Sequence, residues 1–155
     1  MSALTRLLNR RPAHRINWGL ERTRAMLRSL GDPHRSADFV HIGGTNGKGS
    51  TAAMLESMLR HGGRRTGLYT SPHLSDFAER IRIGGEPADR DLMESCAGEV
   101  LALAEREDAS FFESATVLAF EAFRRSECDA VVLEVGLGGR LDATNVVEPR
   151  VAVIT

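Results

Sequence analysis

The chain has 155 residues, 42% hydrophobic and 26% charged, with 20 Lys plus Arg against 21 Asp plus Glu. That fits one globular domain with a sizeable core and excludes the global positive field that draws proteins to nucleic acid or anionic membranes, so any phosphate recognition must be local. No apolar run approaches the ~20 residues needed to cross a bilayer. Cys96 and Cys128 stand far apart with neither a CxxC pair nor metal-ligand spacing, as expected of buried thiols in a soluble cytoplasmic protein.

The first fifteen residues, MSALTRLLNRRPAHR, are Arg-rich without acids and read as an amphipathic surface helix. Ile16, Leu20, Met26, Leu27 and Leu30 predict a helix over 16–30, stopped by Gly31, Asp32 and Pro33. Phe39 to Ile42 is a short strand entering a glycine cluster, and Ala52, Ala53, Leu55, Met58 and Leu59 continue at helical spacing to His61. A second strand is expected over Thr66 to Thr70. A polar stretch from Ser71 to Pro87 then holds the alternating segment Arg80 to Ile83 before Gly84 and Gly85, and a long ordered loop of this kind is usually functional. Helices over Asp89 to Arg106 and Phe112 to Arg125 precede the apolar run Ala130 to Leu133, a second glycine cluster and a last strand over Val151 to Thr155.

Short apolar runs alternating with helices predict an α/β fold, a mostly parallel sheet flanked by helices with its loops gathered at the carboxyl ends of the strands. The last strand reaches the final residue with no helix to cover it, which suggests a fragment incomplete at its carboxyl end.

HIGGTNGKGST places Gly44, Gly47 and Gly49 around Lys48 between a predicted strand and a predicted helix. Glycines let backbone N–H groups approach phosphate oxygens, the helix start adds positive potential, and Lys48 adds a point charge. Against the general GxxxxGK pattern, Ile42 takes the first glycine position and Gly49 follows the lysine, leaving Ser50 or Thr51 to supply a hydroxyl. Glu134 closes the run Val131 to Leu133 with a carboxylate at the carboxyl end of a strand, a position that suits Mg²⁺. Gly136, Gly138 and Gly139 then permit tight approach to a ligand, with Arg140, Asp142 and Asn145 crowded into the same loop.

Four ordered segments carry a resemblance: GTNGKGS at 44–50, TSPHLSDFAERIRI at 70–83, FFE at 111–113 and LEVGLGGRLDATN at 133–145. Together they resemble the bacterial dihydrofolate synthase and folylpolyglutamate synthase family of Mur-type ligases, whose loop itself carries glycine after the lysine. The resemblance runs from about Ile16 to Thr155. It implies a phosphate-loop NTPase-like domain of the Mur ligase central type over residues 1–155, with ATP and Mg²⁺ as cofactors. Dihydropteroate or folate and L-glutamate would be the substrates and a monomer the working form.

By the same resemblance the loop Gly44, Thr45, Asn46, Gly47, Lys48, Gly49, Ser50 and Thr51 binds ATP, with Thr45 to Lys48 on the phosphates. Ser71 and Glu134 ligate Mg²⁺, and Lys48 and Glu134 are the catalytic pair. Phe111, Phe112, Glu113, Leu141, Asp142 and Ala143 face the pterin or folate, while His73 and Arg80 orient it or touch phosphate. The family's further pterin contacts fall near Arg10 to Pro12, where no motif is recognisable. The reaction implied is activation of a substrate carboxylate as an acyl phosphate, attacked by the glutamate amine. A third magnesium ligand, a histidine beyond the last strand, and a carboxyl-terminal domain are expected parts that the chain lacks, so alone it should turn over poorly. The competing readings are another Mur-type amino-acid ligase and a non-catalytic nucleotide-binding module.

Overall fold

The computed structural model describes residues 1–10 and 19–155. Strands β1 (Asp38–Gly43), β2 (Thr66–Tyr69), β3 (Ile81–Ile83), β4 (Glu86–Pro87), β5 (Ala130–Glu134) and β6 (Val151–Ile154) form one sheet ordered β4-β3-β2-β5-β1-β6. β2, β5, β1 and β6 run parallel, with Ile42 opposite Glu134 and Tyr69 opposite Leu133, so their carboxyl ends converge on one edge. β3 and β4 are antiparallel additions. They turn the alternating part of the expected Ser71–Pro87 loop into a hairpin, because Gly84 and Gly85 adopt the positive φ a tight turn needs (60° and 89°). A short 3-10 turn, Phe77–Arg80, leads into it.

Among the described residues the helices are α1 (Ala3–Leu8), α2 (Glu21–Ser29), α3 (Lys48–His61), α4 (Arg90–Arg106) and α5 (Phe111–Arg125). The helix expected over 16–30 is seen as α2; its first residues, 16–18, lie outside the described residues, as do residues 11–15 of the opening segment. α3 begins at Lys48, four residues before its apolar periodicity, since glycines hide the first turn from a hydrophobicity reading. Asp89 and Ser110 cap α4 and α5 with side chains that accept N–H bonds of the first turn.

The sheet separates two cores. On one face Phe39, Tyr69, Val131 and Leu133 pack under α5, with α4, α1 and α2 beyond it. On the other, α3 covers Ile42, Leu68 and Val132 through Ala52, Leu55 and Leu59. α3 leaves Met54, Met58 and Ile154 largely exposed. No described helix is long and apolar enough to cross a membrane, and both cysteines are free and buried.

Gly67 shows how tightly α5 sits on the sheet: a Cβ there would lie 2.6 Å from the Phe123 ring. Gly67→Ala is expected to destabilise the fold by about 1–3 kcal/mol, read as a lowered urea midpoint at unchanged m-value. Tyr69, the one tyrosine of the chain, is buried beside Thr116, with its hydroxyl 3.3 Å from Oγ1, and burial pushes its phenol up to about 12. An unfolded phenol ionises near ~10. Stability is therefore intact below about pH 10 and is lost as pH rises through about 12. A spectroscopic titration should show one phenolate transition near 12 in the folded chain; a midpoint near ~10 with the fold intact would contradict the burial.

Candidate nucleotide and metal site

β1 delivers the chain into the glycine loop. Gly44 (φ 136°) and Gly47 (φ 79°) take conformations that L side chains resist, and Gly47 caps α3. Gly44 is required a second time by contact, since a Cβ would lie 2.3 Å from Thr155 Oγ1. That hydroxyl donates to Asn46 O at 2.6 Å, tying the loop to the end of β6. Thr45, Asn46, Gly47 and Ser50 are exposed, and Lys48, Gly49 and Thr51 are half-buried. The first N–H groups of α3 have no acceptor within the helix and carry its positive dipole end into the loop. Lys48, the first residue of α3, has no ion-pair partner among the described residues.

Glu134 stands at the end of β5 with only 6% of its surface exposed. Ser71 N–H donates to its Oε2 at 3.0 Å, and no cation pairs with it among the described residues. The other buried acids are compensated: Glu56 by Arg60, Glu113 by Arg22, Glu121 by Arg124 and Arg125, and Asp142 by three donors. A buried carboxylate left without a cation is costly, and one oxygen of Glu134 still has lone pairs to give. Gly49 lies beside the carboxylate: a Cβ there would make ordinary contact with both oxygens at 3.6 Å. Gly49, Thr70, Ser71 and Glu134 line a cleft of about 440 Å³. This donor set fits Mg²⁺, which takes one or two protein oxygens and fills its shell with water and phosphate. No group of three His, Cys, Asp or Glu is arranged for a metal among the described residues.

Ser71 and Pro72 also wall a second cleft, of about 250 Å³, lined by Arg80, Phe112, Gly136 and Leu137. Phe112 lies so close to Gly136 that a Cβ there would meet its ring at 2.4 Å. Phe111 packs edge-on against Phe77, and the buried Arg80 guanidinium lies 5.5 Å from the Phe111 ring centre. Arg80 Nε donates to His73 Nδ1 at 2.7 Å, which makes that imidazole nitrogen the acceptor. The expected residues His73, Arg80, Phe111 and Phe112 therefore meet in space.

Glu113 and Asp142 carry structural duties beside the ligand-facing roles expected of them. Glu113 closes the capping box of α5, accepting from Ser110 N at 2.8 Å, and pairs with Arg22 at 2.9 Å. Asp142 Oδ1 accepts from Thr144 N (3.0 Å) and Thr144 Oγ1 (2.5 Å), and Oδ2 accepts from Leu137 N (2.8 Å). With two lone pairs per oxygen, Oδ2 keeps one place for a further donor. Leu141 is exposed beside it and Ala143 buried. His41, missed in the sequence, completes this cluster: its Nε2 lies 2.8 Å from Thr144 Oγ1. Since the Thr144 hydroxyl proton points to Asp142, His41 Nε2 is the donor, and burial lowers the His41 pKa below its ordinary value. No spacing rule links residues 103 positions apart, so the pair was invisible beforehand. Arg10 holds the Ala104 and Ala109 carbonyls through its guanidinium, and Arg11 and Pro12 lie outside the described residues.

No protein-family model matches the chain. It is 41% identical over 141 residues to the dihydrofolate synthase/folylpolyglutamate synthase of Escherichia coli, covering 90% of this chain and 33% of that protein. A crystal structure of folylpolyglutamate synthase from Thermotoga maritima superposes with a TM-score of 0.82 at 46% identity, over 88% of this chain and 34% of that one. An Escherichia coli FolC structure in complex with DHPP and ADP gives a TM-score of 0.87 at 36% identity, over 100% and 38%. The chain spans between 17% and 34% of the length of such curated relatives. Over the residues it spans, the chain is similar to the dihydrofolate synthase/folylpolyglutamate synthase proteins in both sequence and fold.

Proposed function

We propose that residues 1–155 form the ATP-binding domain of a Mg-ATP-dependent ligase that joins L-glutamate to the carboxylate of dihydropteroate, of folate, or of both. The observation that carries this reading is Glu134, a buried carboxylate with no cation beside it among the described residues, facing a glycine loop at the start of a helix. The solved relative in complex with DHPP and ADP supports the choice of ligands.

In this reading the amides of Thr45 to Lys48 and the Lys48 ammonium hold the nucleotide phosphates, with Gly44, Gly49, Ser50 and Thr51 completing the loop. Glu134 and the Ser71 hydroxyl hold Mg²⁺. When bound, Mg²⁺ neutralises charge on the phosphates. The Phe112–Gly136 cleft takes the flat heterocycle, with Phe111, Glu113, Leu141, Asp142 and Ala143 around it. The remaining lone pair of Asp142 Oδ2 suits a pterin N–H. Ser71 borders both clefts, so a substrate carboxylate reaching past it would meet the terminal phosphoryl. Transfer would give an acyl phosphate, and the glutamate amine would displace phosphate to form the amide. The chain needs no side-chain nucleophile for this; its task is positioning and charge stabilisation.

Calorimetric titration with Mg-ATP tests the reading. The chain should bind, and Lys48→Ala should weaken binding by roughly 10- to 100-fold, the worth of a charge-assisted contact. Equal affinity in the two folded proteins, or no binding by either, would refute it.

A further inference from the structure

We propose that Arg82 is a further anion-binding residue of this site, gripping an oxyanion beside Glu134 and Ser71; the proposal rests on the ligase reading above. Arg82 lies opposite Leu68 in the β2–β3 pairing, and Leu68 belongs to the core under α3. Residues opposite one another across an antiparallel pair share a face. Arg82 is therefore on the α3 side, as is Glu134, two residues along β5 from Val132 of the same core. Both line the 440 Å³ cleft, and Arg82 is its one cationic side chain among the described residues.

Its donors are free. Arg60, Arg64, Arg124 and Arg125 all face carboxylates, whereas Arg82 has no hydrogen bond or ion pair to any described residue. The cleft's second acid, Glu79, is already taken by the N–H groups of Leu74, Ser75 and Asp76 at 2.8–3.0 Å, which hold its carboxyl below the usual range. The cleft thus offers a forked cation on one wall and an uncompensated carboxylate on another. That pair of charges suits an oxyanion arriving with a divalent cation.

The backbone beneath Arg82 is fixed. A Cβ on Gly85, in the hairpin turn, would lie 2.8 Å from Arg60 Nε. Arg60 donates to the buried Glu56 at 3.2 Å, and Thr66 Oγ1 donates to the same oxygen at 2.5 Å. Gly84 N–H donates to Thr66 O at 2.9 Å. The hairpin is therefore anchored to α3, the helix that begins at Lys48.

The oxyanion has two sources in the proposed reaction, the terminal phosphoryl of the nucleotide and a carboxylate of a glutamyl substrate. Arg82→Met and Arg82→Lys, with folding checked by circular dichroism, are titrated in the presence of Mg²⁺ with AMPPCP, ADP and folyl glutamate, beside Lys48→Ala. If the phosphoryl is held, Arg82→Met loses roughly 10- to 100-fold in AMPPCP affinity and keeps its ADP affinity. If the carboxylate is held, both nucleotides bind unchanged and the folyl ligand loses by that factor. In either case Arg82→Lys recovers part of the loss, because it keeps the charge without the fork. Wild-type affinity of Arg82→Met for all three ligands, while Lys48→Ala loses nucleotide, overturns the role of Arg82 alone. Unchanged nucleotide binding in Lys48→Ala as well, or no binding by the folded wild-type chain, overturns the ligase reading with it.

Discussion

The site depends on one uncompensated charge. Glu134 is carried into a nearly buried position by parallel pairing of β5 with β1 and β2, and there, among the described residues, it receives one backbone N–H bond and no cation. Elsewhere the fold neutralises its buried acids, as when Glu121 takes both Arg124 and Arg125. A carboxylate left bare in low dielectric costs stability that a bound cation returns. The arrangement around it follows: Gly49 brings no side chain beside it, Ser71 brings an N–H to one oxygen, and the glycine loop brings the start of α3, the proposed phosphate site, to the same edge. A parallel sheet makes this convergence possible by sending every βα connection out at the carboxyl ends of the strands.

The Ser71–Pro72 wall divides what that edge can bind. On the Glu134 side the wall carries the charges of Glu79, Arg82 and Glu134; on the Phe112 side it is aromatic, with Arg80 held between Phe111 and His73. Asp142 ties Leu137, which lines the second cleft, to Thr144, and His41 joins Thr144 to β1. β1 also launches the glycine loop. One strand therefore registers both halves of the candidate site, so the proposed nucleotide and pterin positions share a rigid support.

Much of this was legible in the sequence because it is local. Strand runs and amphipathic helices announced themselves by period, and the glycines around Lys48 were readable because positive φ and a helix start leave few alternatives. The hairpin over residues 81–87 was only half legible, since β4 is two residues long and carries Pro87, too little pattern to mark a strand. Contacts between distant residues were hidden. Arg22 reaches Glu113 across 91 positions and His41 reaches Thr144 across 103, and nothing in either local pattern signals a partner. The family resemblance points Glu113 and Asp142 toward a ligand; the structure adds cap and loop-locking duties that use most of their lone pairs. Arg82 was passed over as part of an alternating segment, and only the sheet register puts it across a cleft from Glu134.

The central claim is that the bare Glu134 carboxylate holds a divalent cation beside a nucleotide in the glycine loop. A crystal of the chain grown with Mn²⁺ and AMPPCP tests it most directly, because Mn²⁺ scatters anomalously. The account predicts one anomalous peak at about 2.1 Å from a Glu134 oxygen and from Ser71 Oγ, with phosphate density over residues 44–51. Phosphates in the loop with the metal remote from Glu134, or Glu134 still bare with nucleotide bound, would contradict it.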